Sequence, residues 1–434
     1  MFKNSQIEDI RNVKNEQFSR FSINIYSIRA ICIFLIVIAH TGLWFSELIP
    51  LSKENSNVYL LRIFDFGLIG VDLFIFLSGM LLTINMLNRG VENHSWSDWY
   101  KRRIIRIFPP YWIMLSIIIV SYFTFNHYFG LAQILVNYSG FQMSPIENPN
   151  FILIHFIYWY LTAILICYLL FPLMFNAIRK IFKATTIIGI ILFLLVIFYF
   201  FKLPFRFAFL IIKSFEFFFG IVFGYWIGKN NMENLEKIYK TKIGIPLSII
   251  LIYLLLSSFF GYIARIFLIL IFPFITLVFI PFLLFFFNKF YKINEFLTYF
   301  GKRSYEIYLV HFFSFLLIFY TLINLFSLRS NFTSALIIFL IILPIFLFLV
   351  LIFAHFLNRI ADIITHQKKY YPYIIILAIS FFLFALISIF IPFYIGFYLA
   401  LFIYTSILIV LLLIHKKRCV NLKKSQEIQI NKGE

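Results

Sequence analysis

Stretches of about 20 mostly apolar residues, the length a helix needs to cross a hydrocarbon core, recur along almost the whole 434-residue chain with only short polar breaks. In lipid every backbone amide must be satisfied within the protein, and continuous runs of this length satisfy it as helices. Approximate spans lie at 27–46, 66–87, 109–129, 158–178, 187–204, 207–228, 243–261, 266–287, 304–325, 333–356, 372–391 and 396–415. The predicted fold class is therefore all-α: a polytopic transmembrane helix bundle of about 12 spans. A composition of 62% hydrophobic and 13% charged residues leaves no room for a sizeable water-soluble domain. Any chemistry must be built between the helices.

The formal net charge of +19 is a topology signal. With the amino terminus inside, 29 of the 37 Lys and Arg residues fall on cytoplasmic segments and six on outer loops (Lys53, Arg62, Lys202, Arg206, Arg265 and Arg329), while Arg29 and Lys213 lie within spans. That asymmetry predicts both termini in the cytosol, in the cell (inner or plasma) membrane. Nucleic acid is not an expected partner, because the basic residues are spread over seven loops with no aromatic-interleaved basic face. The tail from His415-Lys416-Lys417-Arg418 to Lys423-Lys424 fits anchoring on anionic lipid headgroups. Residues 1–26 are too polar for a signal peptide, so the first apolar run is expected to be retained. Cys32, Cys167 and Cys419 lack the spacing of a zinc site or a disulfide framework, and no metal is expected. No internal repeat is evident.

Ionisable residues inside spans are costly and mark sites. Arg29 and His40 are eleven apart, which places them on one helical face with a rise of about 16 Å between them. Arg29 falls near the cytosolic boundary, where snorkelling also accounts for it. His40 lies below the outer end of its span, and Asp72, in Gly70-Val71-Asp72, lies at a similar depth in the next. A carboxylate on one imidazole nitrogen would leave the other to take a proton from a hydroxyl; a structural hydrogen bond of Asp72 to another helix is the competing reading. Secondary candidates are Ser78, Glu216, His311 and Trp159. Glu216 and Lys213 are three apart and can pair on one face. His311 lies toward the cytosolic end of its span, either lining a channel or bonding Tyr305 or another neighbour. Trp159 fits an interfacial anchor or a stacking platform for an acceptor.

Arg102, Arg103 and Arg106 precede Pro109-Pro110 on the cytosolic approach to the third span and make a fork suited to phosphate oxygens. A phosphate-bearing carrier held there, with an arm reaching past Arg29 to His40, could deliver a group across most of the bilayer without itself crossing.

These elements resemble the acyltransferase 3 family of integral-membrane O-acyltransferases. The matching pieces are Arg29 to His40, Gly70 to Gly79, Arg102 to Trp112, Trp159-Tyr160-Leu161, and Gly301-Lys302-Arg303-Ser304-Tyr305-Glu306 through His311, in family order. The resemblance implies a ten-helix acyltransferase core, with His40 as the essential histidine, Arg29 its companion, and Arg103-x-x-Arg106 the element associated with acyl-CoA. It also implies transfer of an acyl group, acetyl by family default, from cytosolic acyl-CoA to a hydroxyl of an extracytoplasmic glycan or lipid-linked sugar. Expected partners are membrane lipids, that acceptor and proteins of glycan biosynthesis. The expected organisation is a cytosolic segment 1–26, a core 27–357, two additional spans within 358–415, and a basic tail 416–434. The chain departs from the family at Ala354-His355-Phe356-Leu357, where a Glu-Pro-containing tail is common. Direct attack by the acceptor needs no covalent intermediate; in a relayed mechanism Ser78 would carry the acyl group. A polysaccharide or lipid-linked sugar exporter, or a flippase without acyl transfer, is the alternative that fits the same hydropathy.

Overall fold

Among the described residues every regular element is a helix, as a hydrocarbon setting demands. The computed structural model describes residues 24–42, 67, 69–89, 95–124, 131–141, 152–199, 205–229, 280–315 except 281, 285 and 288, and 332–366. The helices are α1 (Asn24–Gly42), α2 (Ile69–Arg89), α3 (Trp96–Thr124), α4 (Leu131–Ser139), α5 (Ile152–Lys180), α6 (Phe182–Tyr199), α7 (Phe205–Lys229), α8 (Tyr291–Gly301), α9 (Ser304–Phe315) and α10 (Phe332–His366). Among the described residues four stretches are long and apolar enough to cross a membrane: α1, Ile69–Asn88, Tyr158–Lys180 and Ala208–Lys229. The expected spans at 243–261, 372–391 and 396–415, most of 266–287, and the basic tail lie outside the described residues.

Three boundaries differ from the hydropathy reading. α3 begins at Trp96 rather than near 109, because the Ser95 hydroxyl accepts the Asp98 amide at 3.3 Å and starts the helix early. The arginine cluster thus sits on α3 itself, and Pro109 and Pro110 lie inside the helix. α5 likewise begins at Ile152, inside the expected outer connection, and that connection also contains α4, closed by Gly140 at φ 79°. α10 runs through Leu357, the core boundary read from sequence, to His366.

The described residues form two compact units, one drawn from those up to Pro110 and from Ser139–Ile363, the other comprising Tyr111–Tyr138 and the end of α10. In the second, Trp112 and Ser116 hold α4 through the Tyr138 carbonyl at 2.9 Å and its hydroxyl at 2.6 Å. In the first, α2 packs most extensively on α7. A Cβ at Gly79 would meet the Phe217 carbonyl oxygen, and one at Gly220 that of Phe76, so glycine is what lets these two backbones approach. α6 closes on α7 with Phe193 against Phe215 and Phe219, and turns Ile187, Ile191 and Leu194 outward, a face suited to acyl chains. α8 escaped the hydropathy reading. Its Asn294 donates to Asn24 at 2.5 Å and its backbone carbonyl accepts the Ser27 hydroxyl at 2.9 Å, while Gly301 lies directly against the Tyr26 carbonyl. These contacts fix the α8–α9 turn beside the first turns of α1.

Candidate functional site

A cavity of about 680 Å³ opens between α1, α2, α3, α5 and the α8–α9 turn, within the roughly 300–1,000 Å³ of small-molecule sites. Five basic residues line it: Arg29 from α1, Arg103 and Arg106 from α3, and Lys302 and Arg303 from the turn. Among the described residues no acidic side chain lines it. Aromatic faces carry several of these cations. Arg103 lies 5.4 Å from the Trp99 ring and 6.0 Å from Tyr168, Arg303 3.9 Å from Tyr299, and Arg29 5.9 Å from Phe74. Glu306 comes within 3.9 Å of Arg106 and ties α9 to α3, assisted by the Tyr305 hydroxyl, which donates to the Ile107 carbonyl at 2.8 Å.

Ser304 opens α9 and also lines the cavity. Its hydroxyl is buried with no hydrogen-bond partner among the described residues. A helix amino terminus, an unsatisfied hydroxyl and surrounding cations together favour an anion. The cavity therefore favours a polyanionic ligand.

At the opposite end the walls become apolar and aromatic. Phe74, Tyr160 and Tyr308 form a chain of ring contacts, with centroids 6.5 and 5.2 Å apart, and Ile36 adds an aliphatic wall. His40 and His311 stand one helical turn beyond Ile36 and Tyr308, outside the lining, and are 3% and 0% exposed. The Tyr308 ring lines the cavity and lies 5.8 Å from that of His311.

His40 and His311 meet across α1 and α9, with Nδ1 of His40 2.9 Å from Nε2 of His311 and the rings near parallel. His311 is thus level with His40, higher than its position in the span implied, and bonds His40 rather than Tyr305. Nδ1 of His311 lies 2.5 Å from the Tyr308 carbonyl oxygen. The Tyr158 hydroxyl donates to the Leu309 carbonyl at 3.0 Å and clamps this stretch of α9 to α5.

The expected pairing of His40 with Asp72 is replaced by another. Lys213 of α7 bonds Asp72 directly and reaches Glu216 at 2.7 Å, forming a buried Asp72–Lys213–Glu216 cluster. An ammonium satisfies a buried carboxylate better than a neutral imidazole does, and the α2–α7 seam brings the lysine within reach. The Lys213–Glu216 pairing is the one its spacing predicts. Trp159 is placed by Phe209, 4.8 Å away, whose ring lies 5.0 Å from the Lys213 ammonium; it does not line the cavity. Ser78 does, with its hydroxyl donating to the Phe74 carbonyl at 2.8 Å. Arg102 is exposed and outside the lining, so the fork is Arg103 and Arg106.

Sequence reasoning passed over Lys302, Arg303 and Ser304 as cavity residues. Their signal was present in Gly301-Lys302-Arg303-Ser304, but a basic pair beside a span reads first as topology.

A family model described as an acyltransferase domain, Acyl_transf_3, matches residues 23–355. No curated protein and no solved structure matches the chain.

Proposed function

The chain belongs to the acyltransferase 3 family, and from that premise we propose that it moves an acyl group, acetyl in the first instance, from cytosolic acyl-CoA to a hydroxyl of an extracytoplasmic glycan or lipid-linked sugar. It is a membrane protein and an acyltransferase; donor and acceptor are the proposed part. The observation that carries the reading is the convergence of five cations and the α9 amino terminus on one cavity whose far wall abuts a buried histidine pair. A polyphosphate-bearing thioester carrier fits that polarity, charged at one end and apolar at the other.

In this mechanism Arg103, Arg106, Lys302 and Arg303 hold the phosphates of the donor, and Ser304 donates to one of their oxygens. The arm runs past Arg29 along α1, over the roughly 16 Å that separates it from His40. Displacement of the Tyr308 and Phe74 rings admits the thioester to the histidine level. His40 then takes the proton of the acceptor hydroxyl as its oxygen bonds to the thioester carbon, and passes a proton to the departing sulfur as the carbon–sulfur bond breaks. Asp72 acts through Lys213 in holding α2 to α7 and takes no part in the proton transfer.

The test uses purified protein in liposomes with radiolabelled acetyl-CoA and cell-envelope glycan. His40→Ala is expected to lower label transfer by about 10²- to 10⁴-fold, the usual contribution of a general base. Equal labelling by the variant and the unaltered protein would remove the mechanism, and glycan translocation without labelling would identify an exporter.

A further inference from the structure

We infer that His311 is the positioning residue for His40, fixing its tautomer from the neighbouring helix in the place a carboxylate usually takes. The inference rests on His40 being the base proposed above, but the hydrogen-bond assignment stands on geometry alone.

The argument starts from the Tyr308 carbonyl, which can only accept. Nδ1 of His311 lies 2.5 Å from that oxygen, so Nδ1 carries a hydrogen. A neutral imidazole holds one N–H, which leaves Nε2 of His311 as a bare acceptor. That nitrogen faces Nδ1 of His40 at 2.9 Å, and two bare nitrogens would repel, so Nδ1 of His40 is the donor. The lone pair of His40 is thereby assigned to Nε2, the ring nitrogen farther from its own backbone. One backbone carbonyl thus sets two tautomers in series.

When the acceptor proton arrives on Nε2, His40 carries both hydrogens and a positive charge. Its Nδ1–H bond to His311 then becomes charge-assisted and tightens as the charge develops. The orienting group is itself neutral, so it adds no anion to the apolar surroundings of the two rings. Its rigidity comes from α9: Tyr158 clamps the Leu309 carbonyl and Tyr308 packs on Tyr160.

Two readouts test this on the full-length protein in lipid. Histidine-selective ¹⁵N labelling, with His40→Ala used to assign the signal, should show His40 protonated at Nδ1 and bare at Nε2. The opposite tautomer overturns the inference whether or not any variant folds. In acyl-transfer kinetics, His311→Ala should lower kcat by about 10²-fold, the scale of a misplaced catalytic group, with KM for acetyl-CoA within about twofold. His311→Gln, whose amide oxygen can accept from Nδ1, should recover at least about tenfold of that loss. Equal losses in the two variants, or a loss confined to KM, overturn it as well. If the unaltered protein moves no acyl group, the proposed function fails while the nitrogen spectrum still decides the tautomer.

Discussion

A guanidinium earns a place in a lipid-embedded protein by what it touches, and the arginines of α3 differ sharply in this. Arg103 sits between Trp99 and Tyr168 and lines the cavity, whereas Arg102, one residue earlier, is exposed outside it. Arg103→Ala or Arg106→Ala should therefore raise KM for acetyl-CoA by about 10- to 100-fold, the equivalent of losing a charge-assisted hydrogen bond of roughly 1.5–3 kcal/mol. Arg102→Ala should stay within about twofold, and initial rates against donor concentration would separate them; matching KM increases would remove the cavity from the donor site. Helical periodicity alone was enough to place Arg29 and His40 on one face. The partner of His40 was not readable in the same way, because His311 is 271 residues away and only the packing of α1 against α9 brings it there.

Helices α2 and α7 are joined by both shape and charge. Glycine positions let the backbones approach, and the Asp72–Lys213–Glu216 cluster locks the pair below the surface. Removing only the lysine strands two carboxylates in an apolar interior. Lys213→Met should cost about 3–5 kcal/mol, read as a lowered unfolding transition in detergent. Combining it with Asp72→Asn and Glu216→Gln should return most of the loss, since no buried charge is then left alone; a triple variant as unstable as the single one would show that the cluster is not what lysine serves. The Lys213–Glu216 half of this cluster was legible as a three-residue spacing on one helix. Asp72 was assigned instead to His40 because depth in the membrane was the only guide, and depth does not say which helix is the neighbour. α8 was missed for a related reason: Asn294, Glu295 and Thr298 interrupt its hydropathy, yet those interruptions include the groups that bond α1.

For the molecule as a whole, the polarity of the cavity makes a sided prediction. In sealed proteoliposomes of one orientation, acetyl-CoA supplied only on the face bearing Arg103 and Arg106 should label glycan present only on the opposite face. Labelling that requires both substrates on one side would contradict transfer across the bilayer. The helical class and the spans at α1, α2, α5 and α7 were legible from apolar length, while the start of α3 was shifted by the cap at Ser95. The cavity was not, because it is assembled from Arg29, Arg103 and Lys302, which are distant along the chain and individually indistinguishable from topology-setting charges.

The aromatic rings that line the cavity next to His311 also bear on waste. A thioester parked beside a competent base and bulk solvent would be hydrolysed, discarding the activated group each time no acceptor was at hand. If the proposed thioester donor binds in the cavity with Tyr308 between it and the imidazoles, its charged end would stay loaded while its reactive end is out of reach, so turnover without acceptor should be slow.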